Sequence, residues 1–122
     1  MTIERRKYPR VIAHGEVSIL LAGEVHNGAL MNVAPPGIQL ECQHSAVEHL
    51  GSLKSSSGQY PDFEFEFKLP ASARSAKTIR AICTVSYCRR QRQDSYHLGL
   101  SFVVLDKQAE QTVDAYINKS AA

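Results

Sequence analysis

The sequence predicts an all-β domain of six antiparallel strands, folded as a barrel or a sandwich and closed by one C-terminal α-helix. Three observations carry that reading. Apolar and polar residues alternate with a period of two along most of the chain. The alternating runs are short and divided by Gly, Pro and Ser, with little helical periodicity between them. The period changes only after Asp106. Many short strands with turn signals at close spacing describe an antiparallel barrel or sandwich, and 122 residues suit a single domain, here 1–122.

Val17, Ile19 and Leu21 mark a first strand continuing from around Val11, and Ala22-Gly23 supplies a turn into a second from about Glu24 to Val33. Ile38, Leu40 and Cys42 alternate with Gln39, Glu41 and Gln43 in a third. The clearest strand runs from Asp62 to Leu69, where Phe63, Phe65, Phe67 and Leu69 alternate with Glu64, Glu66 and Lys68 between Pro61 and Pro70. One such face packs on a core while the other meets water, and the prolines, lacking an N–H, close the ends. Ile79, Ala81, Cys83, Val85 and Tyr87 define the inner face of a fifth strand, and Leu98, Leu100, Phe102 and Val104 that of a sixth. Between Ser45 and Gln59 the periodic signal is poor and the stretch is an ill-defined loop, plainest over Lys54-Ser55-Ser56-Ser57-Gly58, and Ala71 to Ala76 reads as another exposed connection. From Asp106, a suitable N-cap, Ala109, Val113, Tyr116 and Ile117 recur at helical spacing, which predicts a helix over 106–119.

Composition narrows the function. Apolar residues are 43% and charged residues 21% of the chain, an ordinary globular balance. No run approaches the roughly 18 apolar residues of a membrane span, and the basic N-terminus lacks the apolar core of a secretory signal. A cytoplasmic protein is expected. Cys42, Cys83 and Cys88 form no C-x-x-C pair, and Cys83 and Cys88, five apart on a strand, point to opposite faces. His14, His26, His44, His49 and His97 show no recognised ligand spacing, so no metal site and no cofactor are expected. Nucleophile-elbow and Walker motifs are missing, and Glu64 with Glu66 reads as a solvated strand face. No enzyme is predicted.

Net charge is only +2, yet Arg5, Arg6, Lys7 and Arg10 against Glu4 put +3 in the first ten residues. Arg89, Arg90 and Arg92 form a second basic group. Local basic sites on a near-neutral body suit a small anion better than a nucleic acid polymer, which calls for a broad basic face. Aromatic residues are only 7% with no Trp, and the Phe residues alternate as core, which also disfavours a base-stacking platform.

Two segments stand out: Arg5-Arg6-Lys7-Tyr8-Pro9-Arg10 before the first strand, and Asn32-Val33-Ala34-Pro35-Pro36-Gly37 between the second and third. Alone, the first is a basic tail and the second a plain turn. Together and in this order they resemble the PilZ family, with its Arg-x-x-x-Arg motif before the first strand and its Asp/Asn-x-Ser-x-x-Gly motif between the second and third. Arg6 and Arg10 supply the first motif, with Arg5 the extra preceding arginine, and Asn32 and Gly37 match the ends of the second. Phe67-Lys68-Leu69-Pro70, Leu98-Gly99-Leu100-Ser101-Phe102 and the terminal helix extend the resemblance over nearly the whole chain.

The resemblance implies a six-stranded barrel that binds the bacterial second messenger cyclic di-GMP and acts as a receptor or adaptor towards a downstream protein effector, in settings such as motility or biofilm formation. Arg6 and Arg10 would carry most of the bidentate bonding to phosphate oxygens or guanine edges and the stacking on purines, with Arg5 stacking or screening charge. Asn32 would present donors and an acceptor to a guanine, and Gly37 would allow close approach and the turn's backbone angles. Residues 1–10 would form a flexible arm ordered by ligand. The departure is Ala34, where the family has a serine, beside two prolines that lack N–H groups. The alternative is a degenerate PilZ-like protein-interaction module that binds no nucleotide.

Overall fold

A computed structural model of the chain describes residues 10–70 and 76–121. Six strands close into one antiparallel barrel: β1 (Val11–Leu21), β2 (Glu24–Ala34), β3 (Gly37–Cys42), β4 (Phe63–Pro70), β5 (Ala76–Arg92) and β6 (Ser95–Leu105). Around the barrel their order is β1-β2-β3-β6-β5-β4, with β4 pairing back onto β1 through Val17↔Phe67 to Leu20↔Glu64. Closure decides between the barrel and the sandwich, and it leaves no free sheet edge among the described residues.

The period-two residues meet inside. Val17, Ile19, Leu21, Ile38, Leu40, Phe63, Phe65, Phe67, Leu69, Ile79, Ala81, Cys83, Leu98 and Leu100 are all buried. Each large side chain so buried stabilises the fold by about 1.5–3 kcal/mol. The Phe65, Phe67 and Phe102 rings stack nearly parallel, with centroids 5.4–6.3 Å apart. Ala22 and Gly23 join β1 to β2 with φ of 48° and 85°, the left-handed pair that a two-residue hairpin turn demands.

A bulge in β5 between Val85 and Tyr87 moves the strand's periodicity by one. Tyr87, predicted to point inward with Val85, therefore lies on the outer face against Gly99, while Cys88 packs towards the core. A second irregularity between Ile82 and Cys83 accompanies the exposure of Val104, which is 54% exposed rather than internal.

The predicted loop after β3 contains a helix, α1 (His44–Ser52). Its N-cap, Gln43, makes no side-chain cap bond; instead the His44 N–H donates to Asp94 Oδ1 at 2.9 Å, from the β5–β6 turn. Ala46 and Leu50, four apart, bury the helix against one end of the barrel. The second helix, α2 (Lys107–Ala121), follows Asp106, whose Oδ1 accepts the Ala109 N–H at 2.7 Å as an N-cap should. Ala109, Val113 and Ile117 bury against the other end of the barrel, and Tyr116 Oη donates to the Ile12 carbonyl at 3.1 Å. Among the described residues, no helix is long and apolar enough to cross a membrane.

Candidate ligand-binding site

Arg10, the described end of the arginine motif, meets Asn32 of the turn segment at the α2 end of the barrel. Val11 pairs with Val33, so the entry to β1 runs beside the exit of β2. Arg10, the residue before β1, donates from Nη1 to Asn32 Oδ1 at 3.0 Å. The Asn32 amide nitrogen donates in turn to Gln39 Oε1 on β3. This chain fixes the amide orientation of Asn32, since its oxygen faces a guanidinium that can only donate and its nitrogen faces an acceptor.

Gln39 was not anticipated as a site residue. It belongs to an outward-facing row crossing the barrel wall: Ile12↔Asn32, Asn32↔Gln39, Gln39↔Gly99 and Gly99↔Tyr87 are directly paired, and paired residues share a face. Ile12 is exposed at one end of the row. At the other end the Tyr87 ring covers Gly99, leaving no room for a Cβ, and the Arg89 guanidinium sits 5.1 Å above the ring centroid. The row thus combines hydrogen-bonding amides, a π face and guanidinium groups at both ends, a set that can grip a planar, anionic, nitrogen-rich ligand.

The other predicted residues stand differently. Arg5 and Arg6, and with them the predicted flexible arm apart from Arg10, lie outside the described residues. Ala34 and Gly37 pair as the last rung of the β2–β3 ladder. Ala34 is only 2% exposed. Gly37 is buried too, and its φ is not in the left-handed region; its lack of a side chain instead admits the Leu100 carbonyl of β6. The close approach here is by the protein's own backbone. The Pro36 carbonyl is also engaged, accepting the Phe102 N–H at 2.8 Å. Of the second basic group only Arg89 adjoins the row; Arg90 and Arg92 continue past it towards the far end of β5.

The thiols take no part in this site. Burial, with Cys88 and Glu41 beside it, pushes the Cys42 thiol up to about 12. Burial raises Cys83 and, less strongly, Cys88 as well.

The PilZ domain family model matches residues 4–119. The Bacillus subtilis inhibitor of motility (MotI/DgrA) is similar with a TM-score of 0.73 at 19% identity, over 96% of this chain and 51% of its own. The PilZ domain of YcgR from Escherichia coli, solved with c-di-GMP, has a TM-score of 0.59 at 12% identity over 97% and 92%. Borreliella burgdorferi PlzA in complex with c-di-GMP has a TM-score of 0.54 at 9% identity over 90% and 52%. The chain therefore spans about half the length of the Bacillus and Borreliella proteins. No protein of curated function matches. With a family match along nearly its whole length and a closed six-stranded barrel of the same fold, the chain belongs to the PilZ domain family.

Proposed function

We propose that this PilZ domain is a cyclic di-GMP receptor that acts by binding, without a catalytic step, and passes the signal to a protein partner. The observation that carries the reading is the Arg10–Asn32 hydrogen bond, which joins the end of the arginine motif to the turn motif on one barrel face. Two of the similar solved structures hold c-di-GMP, and a third is named an inhibitor of motility, in keeping with an adaptor role. In the proposed complex, Arg5, Arg6 and Arg10 engage phosphates and guanine edges, while Asn32 and Gln39 present amide groups to a guanine. Ala34 and Gly37 support the turn from beneath. Ligand orders residues 5–10 over the outer row and so changes the surface offered to the partner.

Titration calorimetry with cyclic di-GMP tests this. We expect saturable heat that is lost in an Arg6→Ala, Arg10→Ala double variant. Asn32→Ala removes both the amide offered to a guanine and the acceptor that holds Arg10, and should weaken binding by roughly 10-fold. Amide exchange at residues 5–10 should slow when ligand is added. Absence of heat at about 100 μM ligand, which fills about nine-tenths of a site with a Kd of about 10 μM, overturns the receptor reading. It would favour the interaction module without nucleotide, the reading for which Ala34 and the two N–H-less prolines speak.

A further inference from the structure

At the end of β2 opposite Asn32, two imidazoles and a carboxylate converge that the nucleotide site does not use. His26 Nε2 lies 2.9 Å from His49 Nδ1, and Glu24 Oε2 lies 3.0 Å from His49 Nδ1 and 3.9 Å from His26 Nε2. Glu24 and His26, two apart, share a face of β2, and α1 brings His49 to them. The cluster is about 20 Å from Asn32, six residues along the strand at about 3.3 Å each.

We propose that Glu24, His26 and His49 form a binding site for a divalent transition cation of the Zn2+ class. The geometry fits. Zn–N bonds of about 2.0–2.1 Å at tetrahedral angles place neighbouring ligand atoms about 3.3 Å apart, and the three separations bracket that figure. Two imidazoles and one carboxylate, with a fourth position left to water, suit a borderline cation. The imidazoles are 15% and 19% exposed, enough shelter to hold them in place, while Glu24 at 69% exposure leaves an entry path.

Hydrogen bonding alone serves the cluster poorly. His49 Nδ1 can carry one proton but faces two acceptors, His26 Nε2 and the Glu24 carboxylate. Were His26 Nε2 to carry the proton instead, the Glu24 oxygen would face a bare lone pair. A cation satisfies all three acceptors at once. It would also clip α1 to β2, which matters for a helix whose cap comes from a distant turn.

The test uses the full chain freed of metal by chelator, titrated with ZnCl2 by calorimetry and with Co2+ by absorption. One equivalent should bind, raise the melting temperature, and give tetrahedral Co2+ bands without a sulfur-to-cobalt charge-transfer band. His26→Ala and His49→Ala should each lower affinity by on the order of 100-fold or more, since loss of even an outer-shell partner typically costs 10–100-fold. Glu24→Gln and His49→Gln keep side-chain size and secure the test if His26→Ala does not fold; each should weaken Zn2+ binding at least about 10-fold. No Zn2+ heat, wild-type affinity in both Gln variants, or a sulfur band placing the cation on a cysteine would each overturn the proposal.

Discussion

Gly37→Ala should destabilise the barrel although residue 37 gains only a methyl group. A Cβ built there would lie 3.0 Å from the Leu100 carbonyl carbon and 3.1 Å from Ser101 Cα, with the Leu100 carbonyl oxygen nearer still. These are backbone atoms and cannot swing aside. Relief requires β3 and β6 to part by on the order of 1 Å from a strand spacing of about 4.8 Å. The Phe102 N–H···Pro36 O bond, 2.8 Å long, lies at the same place and would be drawn out of range. Two weakened ladder bonds at about 1 kcal/mol each, with the Phe102 N–H left short of its partner at about a further 1–3 kcal/mol, sum to about 3–5 kcal/mol. Urea unfolding should show the loss in the midpoint with an unchanged slope, and the melting temperature should fall by about 4 °C per kcal/mol. Gly51→Ala is the control: nothing lies within 4 Å of its built Cβ and it sits inside α1, so alanine should stabilise by about 0.5–1 kcal/mol. A Gly37→Ala protein within about 0.5 kcal/mol of wild type would refute the close-packing account and return Gly37 to the ligand.

Ala22→Asn should stabilise by roughly 0.5–1 kcal/mol, because Ala22 holds φ +48° where Asn is better tolerated; thermal melts check it. Asp94→Ala removes the oxygen that receives the His44 N–H and should cost about 1 kcal/mol, with amide exchange accelerated in α1 but not in α2. The Cys42 thiol gives an alkaline prediction. Its folded value of about 12 lies above its ordinary 9.0, so above pH 9 the unfolded chain has lost a proton that the folded chain keeps. Stability then falls with rising pH by about 1.4 kcal/mol per unit from this group until the folded thiol titrates. Cys42→Ala should be less stable at neutral pH but lose stability less steeply between pH 9.5 and 11, measured by urea unfolding at each pH. An equal slope in both proteins would contradict the burial of this thiol.

The fold was legible wherever the period of two reported directly on which face met the core. Phe63, Phe65, Phe67 and Leu69 could be read inward without any knowledge of their partners, and all four are buried. The misses have physical causes that lie outside the local sequence. The helix at His44–Ser52 has no capping residue at Gln43 because its cap, Asp94, is fifty residues further on, and its buried stripe is only Ala46 and Leu50. Nine residues with two anchors give too little periodicity to detect, and tertiary packing supplies the rest of their stability. Unbroken alternation along their strands predicts Tyr87 and Val104 inward. Bulges interrupt it, and no Gly or Pro at Val85–Tyr87 or Ile82–Cys83 announces them.

The candidate site was legible in part for a different reason, and more of it could have been drawn from the residues. Pro35 and Pro36 form a two-residue connection between Ala34 and Gly37, and a loop of fixed length fixes the register of the strands it joins. Two residues back from Ala34 is Asn32, and two on from Gly37 is Gln39, so the turn already places the two amides opposite each other. Alternation between inward Ile38 and Leu40 then turns Gln39 out beside Asn32. What no local signal supplies is the bulge between Leu30 and Asn32 that shifts the remaining ladder and lets Leu30 face Leu40 inside the barrel while Asn32 points out. That irregularity sits immediately before the residue that receives Arg10, so in the proposed complex the hairpin, and not the arginine segment alone, sets where a ligand's hydrogen-bonding edge meets the protein.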